Sequence, residues 1–268
     1  MFGKLAKFAK IKSLSNSSFF FNATTATICH PLLFKAFPNQ QDTSSSFVIK
    51  QLEEKELDEA ATCISEAFSS REMITKNYKV QNDQIVSKLR KDLEKALAQN
   101  LCLVCKDNKS GKVAGVVYYE DLSDRVNPEI CEEDTQANDN LSKCMEFYNY
   151  CYSLISPYAE QPKERNDVLM LNKLAVSQEF TRLGVASNLI FAGRYIHPRT
   201  TKAKKSLMIA SNEKTCEYMK KHGWELIKEI NVKDYQKDFS DNGTVFLMKY
   251  EPKYVKSLIQ EVKSFFEN

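Results

Sequence analysis

Gly184 lies between a polar loop at 177–183 and an apolar helical pattern that starts at Val185. Upstream of the loop, 168–176 reads as a strand. A strand that passes through such a loop into a helix leaves backbone N–H groups at the helix start, where the positive end of the macrodipole can hold a phosphate. Gly184 lets the backbone approach a ligand closely, and Ala186 is small enough not to block it. The pattern is not a P-loop, because GxxxxGK(S/T) is absent, and it is not a dinucleotide-binding GxGxxG. Taken alone, one Gly ahead of a helix is also an ordinary connection.

Cys102 and Cys105 have the CxxC spacing of zinc and redox sites. They stand in an apolar run that reads as a strand, where a spacing of three puts the sulfurs on opposite faces. No second pair and no nearby His completes a metal site. The eight cysteines are scattered through a chain long enough to stabilise itself without bridges. They read as buried structural thiols, and no metal is expected.

These residues need a frame. A strand at 46–52 is followed by a helix with Leu57, Ala61, Ile64 and Phe68 at spacings of three and four. After a break at Ser69 and Ser70, a second helix carries Ile85, Leu89, Leu93 and Leu97. Two strands at 101–105 and 113–119 flank a polar turn closed by Gly111, which makes a hairpin. Residues 121–142 are acidic and turn-rich, an exposed connection. Cys144, Tyr148, Cys151 and Leu154 mark another helix. The helix opened by Gly184 is expected to stop at Pro198. Then come a strand at 206–210, a helix from Asn212 to a Gly223 stop, strands at 224–230 and 244–250, and a last helix at 255–266. Strand pairs with one β-helix-β unit suggest a mixed sheet covered by helices.

The net charge of +3 is unevenly spread. The first 41 residues hold five Lys and no acid, and the remainder has 33 basic against 35 acidic residues. That near-neutral remainder lacks the basic footprint of a nucleic-acid binder. No apolar run approaches the roughly 20 residues that cross a membrane, so a soluble protein is expected. Residues 1–45 read as a basic extension outside the fold. Phe2, Leu5, Phe8 and Ala9 fall on one side of a helix and Lys4, Lys7 and Lys10 on the other. An acid-free, Ser-rich amphipathic start is the signature of an organelle transit peptide. The first Arg is Arg71, whereas such peptides favour Arg; a disordered Lys-rich tail is the alternative. A mitochondrial location is expected, with the cytoplasm as the other reading.

Three blocks and a strand end together resemble the GNAT superfamily of N-acetyltransferases. The segment from Leu174 to Ile190 looks like its pyrophosphate-binding Q/R-x-x-G-x-G/A motif. Ala210, Asn212, Thr215, Tyr218, Met219, Gly223 and Trp224 keep the spacing of its A-x-N-x-x-A-x-x-L-Y-x-x-x-G-F pattern. Ala67, Phe68, Glu72 and Thr75 resemble the F…E-P-L-T element of the arylalkylamine or dopamine N-acetyltransferase branch, and Tyr118–Leu122 is similar to that branch's strand ending in N-E-D-L. The blocks run in family order over about residues 46–250.

The resemblance implies an α+β (mixed α/β) fold: a mixed, mostly antiparallel sheet of six or seven strands with a splayed parallel pair, flanked by helices. It implies a GNAT domain at 46–252 followed by a C-terminal helix at 253–268. It also implies acetyl-CoA as cosubstrate, held by backbone groups of Leu174, Ala175 and Val176, by Arg182, Leu183, Gly184, Val185, Ala186 and Ser187 around the pyrophosphate, and by Asn212. The acceptor would be a small amine, drawn in by Glu120 and Asp121, with Glu72 as the base that deprotonates it. The chain departs from its relatives at several points. Thr181 replaces the Arg/Gln that opens the phosphate loop, with Arg182 adjacent. Met170 and Asn172 stand where vertebrate relatives carry two His. Met219 replaces the usual Tyr acid, and Tyr218, about 100° round the helix, is expected to face elsewhere. A catalytically weak or inactive acyl-CoA-binding protein, serving as a structural subunit of a larger assembly, is the alternative.

Overall fold

The computed structural model describes residues 46–122, 139–159, 167–201, 203–237, 239 and 243–251. The extension at 1–45, the helix expected at 255–266 and most of the 121–142 connection lie outside the described residues.

Among the described residues the seven strands are β1 (Phe47–Gln51), β2 (Cys102–Asp107), β3 (Val113–Asp121), β4 (Val168–Val176), β5 (Lys205–Ala210), β6 (Glu225–Asn231) and β7 (Thr244–Tyr250). They form one sheet in the order β1-β2-β3-β4-β5-β7-β6, and the β4–β5 pair alone is parallel. The helices are α1 (Leu57–Arg71), α2 (Met73–Asn77), α3 (Asn82–Ala98), α4 (Asn140–Ile155), α5 (Val185–Thr201), α6 (Glu213–Lys221) and α7 (Val232–Tyr235). The fold class expected from the motifs is the one observed.

The apolar periodicity decides what each helix buries. Leu57, Ala61 and Ile64 of α1 are buried, as are Ile85, Leu89, Leu93 and Ala96 of α3. These two helices pack on each other, α1 over β3 and β4 and α3 over β2 and β3, while α5 lies across β1 to β4. Cys102, Leu103, Val104 and Cys105 are buried in succession, because a strand covered on both faces has no wet side. Both thiols are therefore core groups, and burial pushes Cys105 up to about 12. Among the described residues no group of three His, Cys, Asp or Glu could hold a metal, and no described helix is long and apolar enough to cross a membrane.

Two boundaries differ from expectation. Ser69 and Ser70 lie inside α1, and the break falls at Glu72, whose extended backbone separates α1 from the extra short helix α2. The α5 helix runs through Pro198 to Thr201 instead of stopping there. Proline has a helical φ and costs an interior helix one hydrogen bond and a clash; one turn before the end, that cost did not terminate it.

Candidate active site

The parallel pair β4–β5 is in register from Val168↔Lys205 to Leu171↔Met208 and no further. Beyond that point β5 stays with β7 through Ile209↔Leu247 and Ala210↔Phe246, while β4 continues beside β3 to Val176. The divergence starts at an irregularity. Tyr119 pairs with Leu171 and Tyr118 with Lys173, which leaves Asn172 as an extra residue in β4. Such a bulge bends its strand and re-aims the side chains beside it.

The phase of the β3–β4 ladder shows which backbone groups face the resulting gap. Ser177 N–H donates to Ala114 C=O at 3.0 Å. Antiparallel alternation then turns the N–H and C=O of residues 175 and 173 toward β3, and those of Leu174 and Val176 into the gap. Arg71 confirms the direction, because its Nη2 donates to the Val176 carbonyl at 2.6 Å. Ala175 is thus a correction to the expected trio: its polar backbone groups are used inside the sheet.

At the far end of the gap the chain turns into α5. Arg182 and Gly184 have φ of 65° and 79°, in the left-handed region that Gly adopts at little cost. The Gly184 C=O accepts the Asn188 N–H at 3.0 Å, the first bond of the helix. The N–H groups of Val185, Ala186 and Ser187 precede that bond and have no intrahelical acceptor. Gly184 offers no side chain to cap them, so they can bind a ligand anion. Gly115 of β3 lets this turn sit close to the sheet: a Cβ there would meet Val185 Cγ1 at 2.7 Å and Leu189 Cδ1 at 3.0 Å.

Asn212 is the N-cap of α6, its side chain accepting the Thr215 N–H at 2.8 Å, which leaves its Nδ2 for a ligand. Met219 is fully buried. Tyr218, expected to face elsewhere, instead donates its hydroxyl to Ser187 Oγ in the first turn of α5. The α6 helix is rotated so that Tyr218 meets the first turn of α5 and Met219 enters the core.

A cleft opens beside the bulge, walled by α1, α3 and α4 and floored by β4. Asn172 and Lys173 both line it, though successive residues of a regular strand would face apart. The Lys173 ammonium lies 4.9 Å from the Phe68 ring centroid and 4.7 Å from that of Tyr148, a cation–π arrangement. Asn172 Nδ2 is buried with no hydrogen-bond partner among the described residues. On the opposite wall Lys88 Nζ and Asp92 Oδ1 are 3.3 Å apart. Burial first, and the charge of Glu72 second, raise the Tyr148 phenol well above its ordinary value, so it stays protonated.

Glu72 is 7% exposed. Its carboxylate accepts the N–H groups of Ile74 (2.9 Å) and Thr75 (2.6 Å) and thereby caps α2. It is not a surface charge. Thr75, whose N–H Glu72 accepts, lines the cleft, while Glu72 itself is not among the lining residues. Glu120 and Asp121 were expected to draw in the acceptor. They stand instead at the far end of β3, opposite Met170 and Leu169, and Asp121 is fully buried. Neither lines the cleft, because β3 carries them away from the bulge. Lys173, Arg71 and the role of Tyr218 were not foreseen. One signal could have found Lys173: Asn172-Lys173 is a polar pair inside an otherwise apolar strand.

No protein-family model matches the sequence, and no curated protein matches it. Solved structures do. The chain is similar to arylalkylamine N-acetyltransferase 2 from Aedes aegypti, with 16% identity and a TM-score of 0.65 over 77% of this chain and 99% of that one. It is similar to the C-terminal condensation domain of Ebony, solved with β-alanyl-dopamine, at 14% identity and a TM-score of 0.64, covering 76% and 98% of the two chains. The polyamine N-acetyltransferase of Drosophila melanogaster, which forms N-acetylagmatine, aligns at 12% identity with a TM-score of 0.61 over 76% and 99%.

Proposed function

We propose that this chain, whose fold is that of the GNAT N-acetyltransferases, is an acetyl-CoA-dependent acyltransferase acting on a small amine. The observation that carries this reading is the β4–β5 gap, which leads from the bulge at Asn172 to an uncapped helix start at Gly184. The residues fit the cosubstrate. Leu174 and Val176 present amide groups to a pantetheine arm. The N–H groups of Val185 to Ser187, with Arg182 beside them, present positive charge to a pyrophosphate. When bound, acetyl-CoA supplies the acetyl group: the C–N bond forms as the thioester C–S bond breaks, and CoA leaves as the thiol.

The chain's own residues then have three tasks. Asn172 and Lys173 orient the acceptor where the gap meets the cleft. Glu72 takes the ammonium proton through a water, using the lone pairs that its two backbone bonds leave over. Tyr218, a protonated phenol bonded to Ser187, holds the first turn of α5 in place. We take residues 46–252 as the acetyltransferase domain; residues 253–268 lie outside the described residues. Residues 1–45 act as an extension that directs the chain to mitochondria.

A specific observation favours a second reading. Both Glu72 oxygens are engaged in capping α2, and Met219 is buried where relatives carry an acid. A chain with that arrangement can keep acyl-CoA binding and lose turnover, serving as a subunit of a larger assembly. A panel of amines incubated with acetyl-CoA, with thiol release as the readout, separates the two. Acceptor-dependent release is expected; binding of acetyl-CoA with no release for any amine would favour the second reading.

A further inference from the structure

Arg71 and Glu72 are consecutive at the break between α1 and α2, yet their side chains serve different ends. The Glu72 carboxylate caps α2 through the Ile74 and Thr75 N–H groups. The Arg71 side chain leaves the end of α1, crosses to β4 and donates through Nη2 to the Val176 C=O at 2.6 Å. That carbonyl faces the β4–β5 gap, so the guanidinium sits at the gap. Val176 pairs with Gly115, and a Cβ at Gly115 would meet Val185 Cγ1 at 2.7 Å, so the start of α5 packs beside the same point. The guanidinium and the uncapped N–H groups of Val185, Ala186 and Ser187 therefore stand at one end of the gap. The bond to Val176 uses one of the five donors of a guanidinium, whose planar fork matches phosphate oxygens. Arg71 is exposed, within reach of a ligand. The loop at 177–183 has one cation, Arg182, and one acid, Glu179, which Lys112 pairs with at 3.1 Å. A pyrophosphate diester carries a negative charge on each phosphate, and Arg182 matches only one of them.

We infer, resting on the acetyl-CoA reading above, that Arg71 is a cosubstrate-binding residue. It keeps one N–H on the Val176 C=O and gives others to the pyrophosphate. The anion is then held by two elements, the helix start of α5 and a guanidinium from the end of α1. The Val176 C=O has two lone pairs, so Arg71 and an amide N–H of the pantetheine arm can share it. Binding in this way also fixes the end of α1, from which Glu72 begins α2.

The test compares acetyl-CoA with S-acetylpantetheine, which keeps the thioester arm and lacks the pyrophosphate. Affinities of the full wild-type chain and of Arg71→Met are read without any acceptor, by calorimetry for the first ligand and NMR titration for the second. Arg71→Met should bind acetyl-CoA about 10–100-fold more weakly, the range for a hydrogen bond to a charged group. It should bind S-acetylpantetheine as wild type does. Acetyl-CoA affinity should also fall more steeply with salt in wild type than in the variant. An exposed side chain is replaced, so a cooperative melt is expected; Arg71→Gln takes the place of a Met variant that lacks one. Acetyl-CoA affinity in the variant equal to that of wild type overturns the inference and leaves the acetyl-CoA reading standing. Tighter binding does the same, because it would make Arg71 a competitor for the gap. An equal loss for both ligands also overturns it, since the effect would then lie on the arm or the fold. Folded wild type that binds neither ligand removes the acetyl-CoA reading itself, and this inference with it.

Discussion

The Tyr218 hydroxyl donates to Ser187 Oγ and so ties α6 to the first turn of α5. Burial raises the phenol's pKa, against a smaller opposing effect of the Ser187 bond, and Tyr218 remains a donor at neutral pH. Tyr218→Phe removes this bond and little else. A loss of about 1 kcal/mol is expected, which for a chain of this size lowers Tm by roughly 2–4 °C. Acetyl-CoA should bind up to about tenfold more weakly, measured by calorimetry. Wild-type Tm and Kd in the variant would mean that the bond does not order the turn.

Glu72→Gln separates base from cap. If Glu72 is the base, kcat/KM should fall by about 10²–10⁴-fold while acetyl-CoA affinity is kept. The defect should shrink at high pH, where more of the acceptor amine is already neutral. Loss of the N-cap carboxylate should also cost about 1 kcal/mol. A lower Tm with unchanged kcat/KM would show that Glu72 only caps α2.

Acid stability should depend on Glu56, which is 2% exposed and ion-paired with Lys106 (2.8 Å) and Lys50 (2.9 Å). Burial works to raise its pKa, but the bonds from Lys106 and Lys50 outweigh it and hold the carboxyl below the ordinary value of 4.5. A carboxyl depressed in the folded state stabilises the fold above its unfolded pKa. That contribution disappears as pH falls below about 4.5 toward the lower folded value. Melting curves of wild type should therefore drop more steeply over that window than those of Glu56→Gln. Parallel acid limbs would contradict this assignment.

Deletion of residues 1–41 should leave a folded protein that binds acetyl-CoA, because the described sheet begins at Phe47. Circular dichroism and calorimetry check this, and aggregation or a much lower Tm would place the extension within the fold. A fluorescent fusion of residues 1–45 should enter mitochondria; a cytosolic signal would remove that assignment.

Local patterns made much of the frame legible. The spacing of Leu57, Ala61 and Ile64 announced α1, the nine residues of β4 were readable to both ends, and Gly184 and Asn212 marked two helix starts. Features that depend on a partner segment were not legible. The bulge exists only because Tyr118 and Tyr119 pair on either side of Asn172, so nothing within β4 announces it. Which of Tyr218 and Met219 meets α5 depends on the rotation of α6 against its neighbours, which periodicity along one helix does not set. The break at Glu72 rather than at Ser69 and Ser70 has a similar origin. Its carboxylate satisfies two N–H groups of α2, while the serines bond back to Glu66 C=O within α1.

The most direct measurement is calorimetric titration of acetyl-CoA into the wild-type chain and into Gly184→Val. A β-branched side chain at φ 79° is strained, and it stands where a pyrophosphate must approach. Saturable one-to-one binding by wild type is expected, with at least about a hundredfold loss in a Gly184→Val variant that keeps a cooperative melt. No binding by the folded wild type, or equal binding by both, would contradict the placement of acetyl-CoA between β4 and β5.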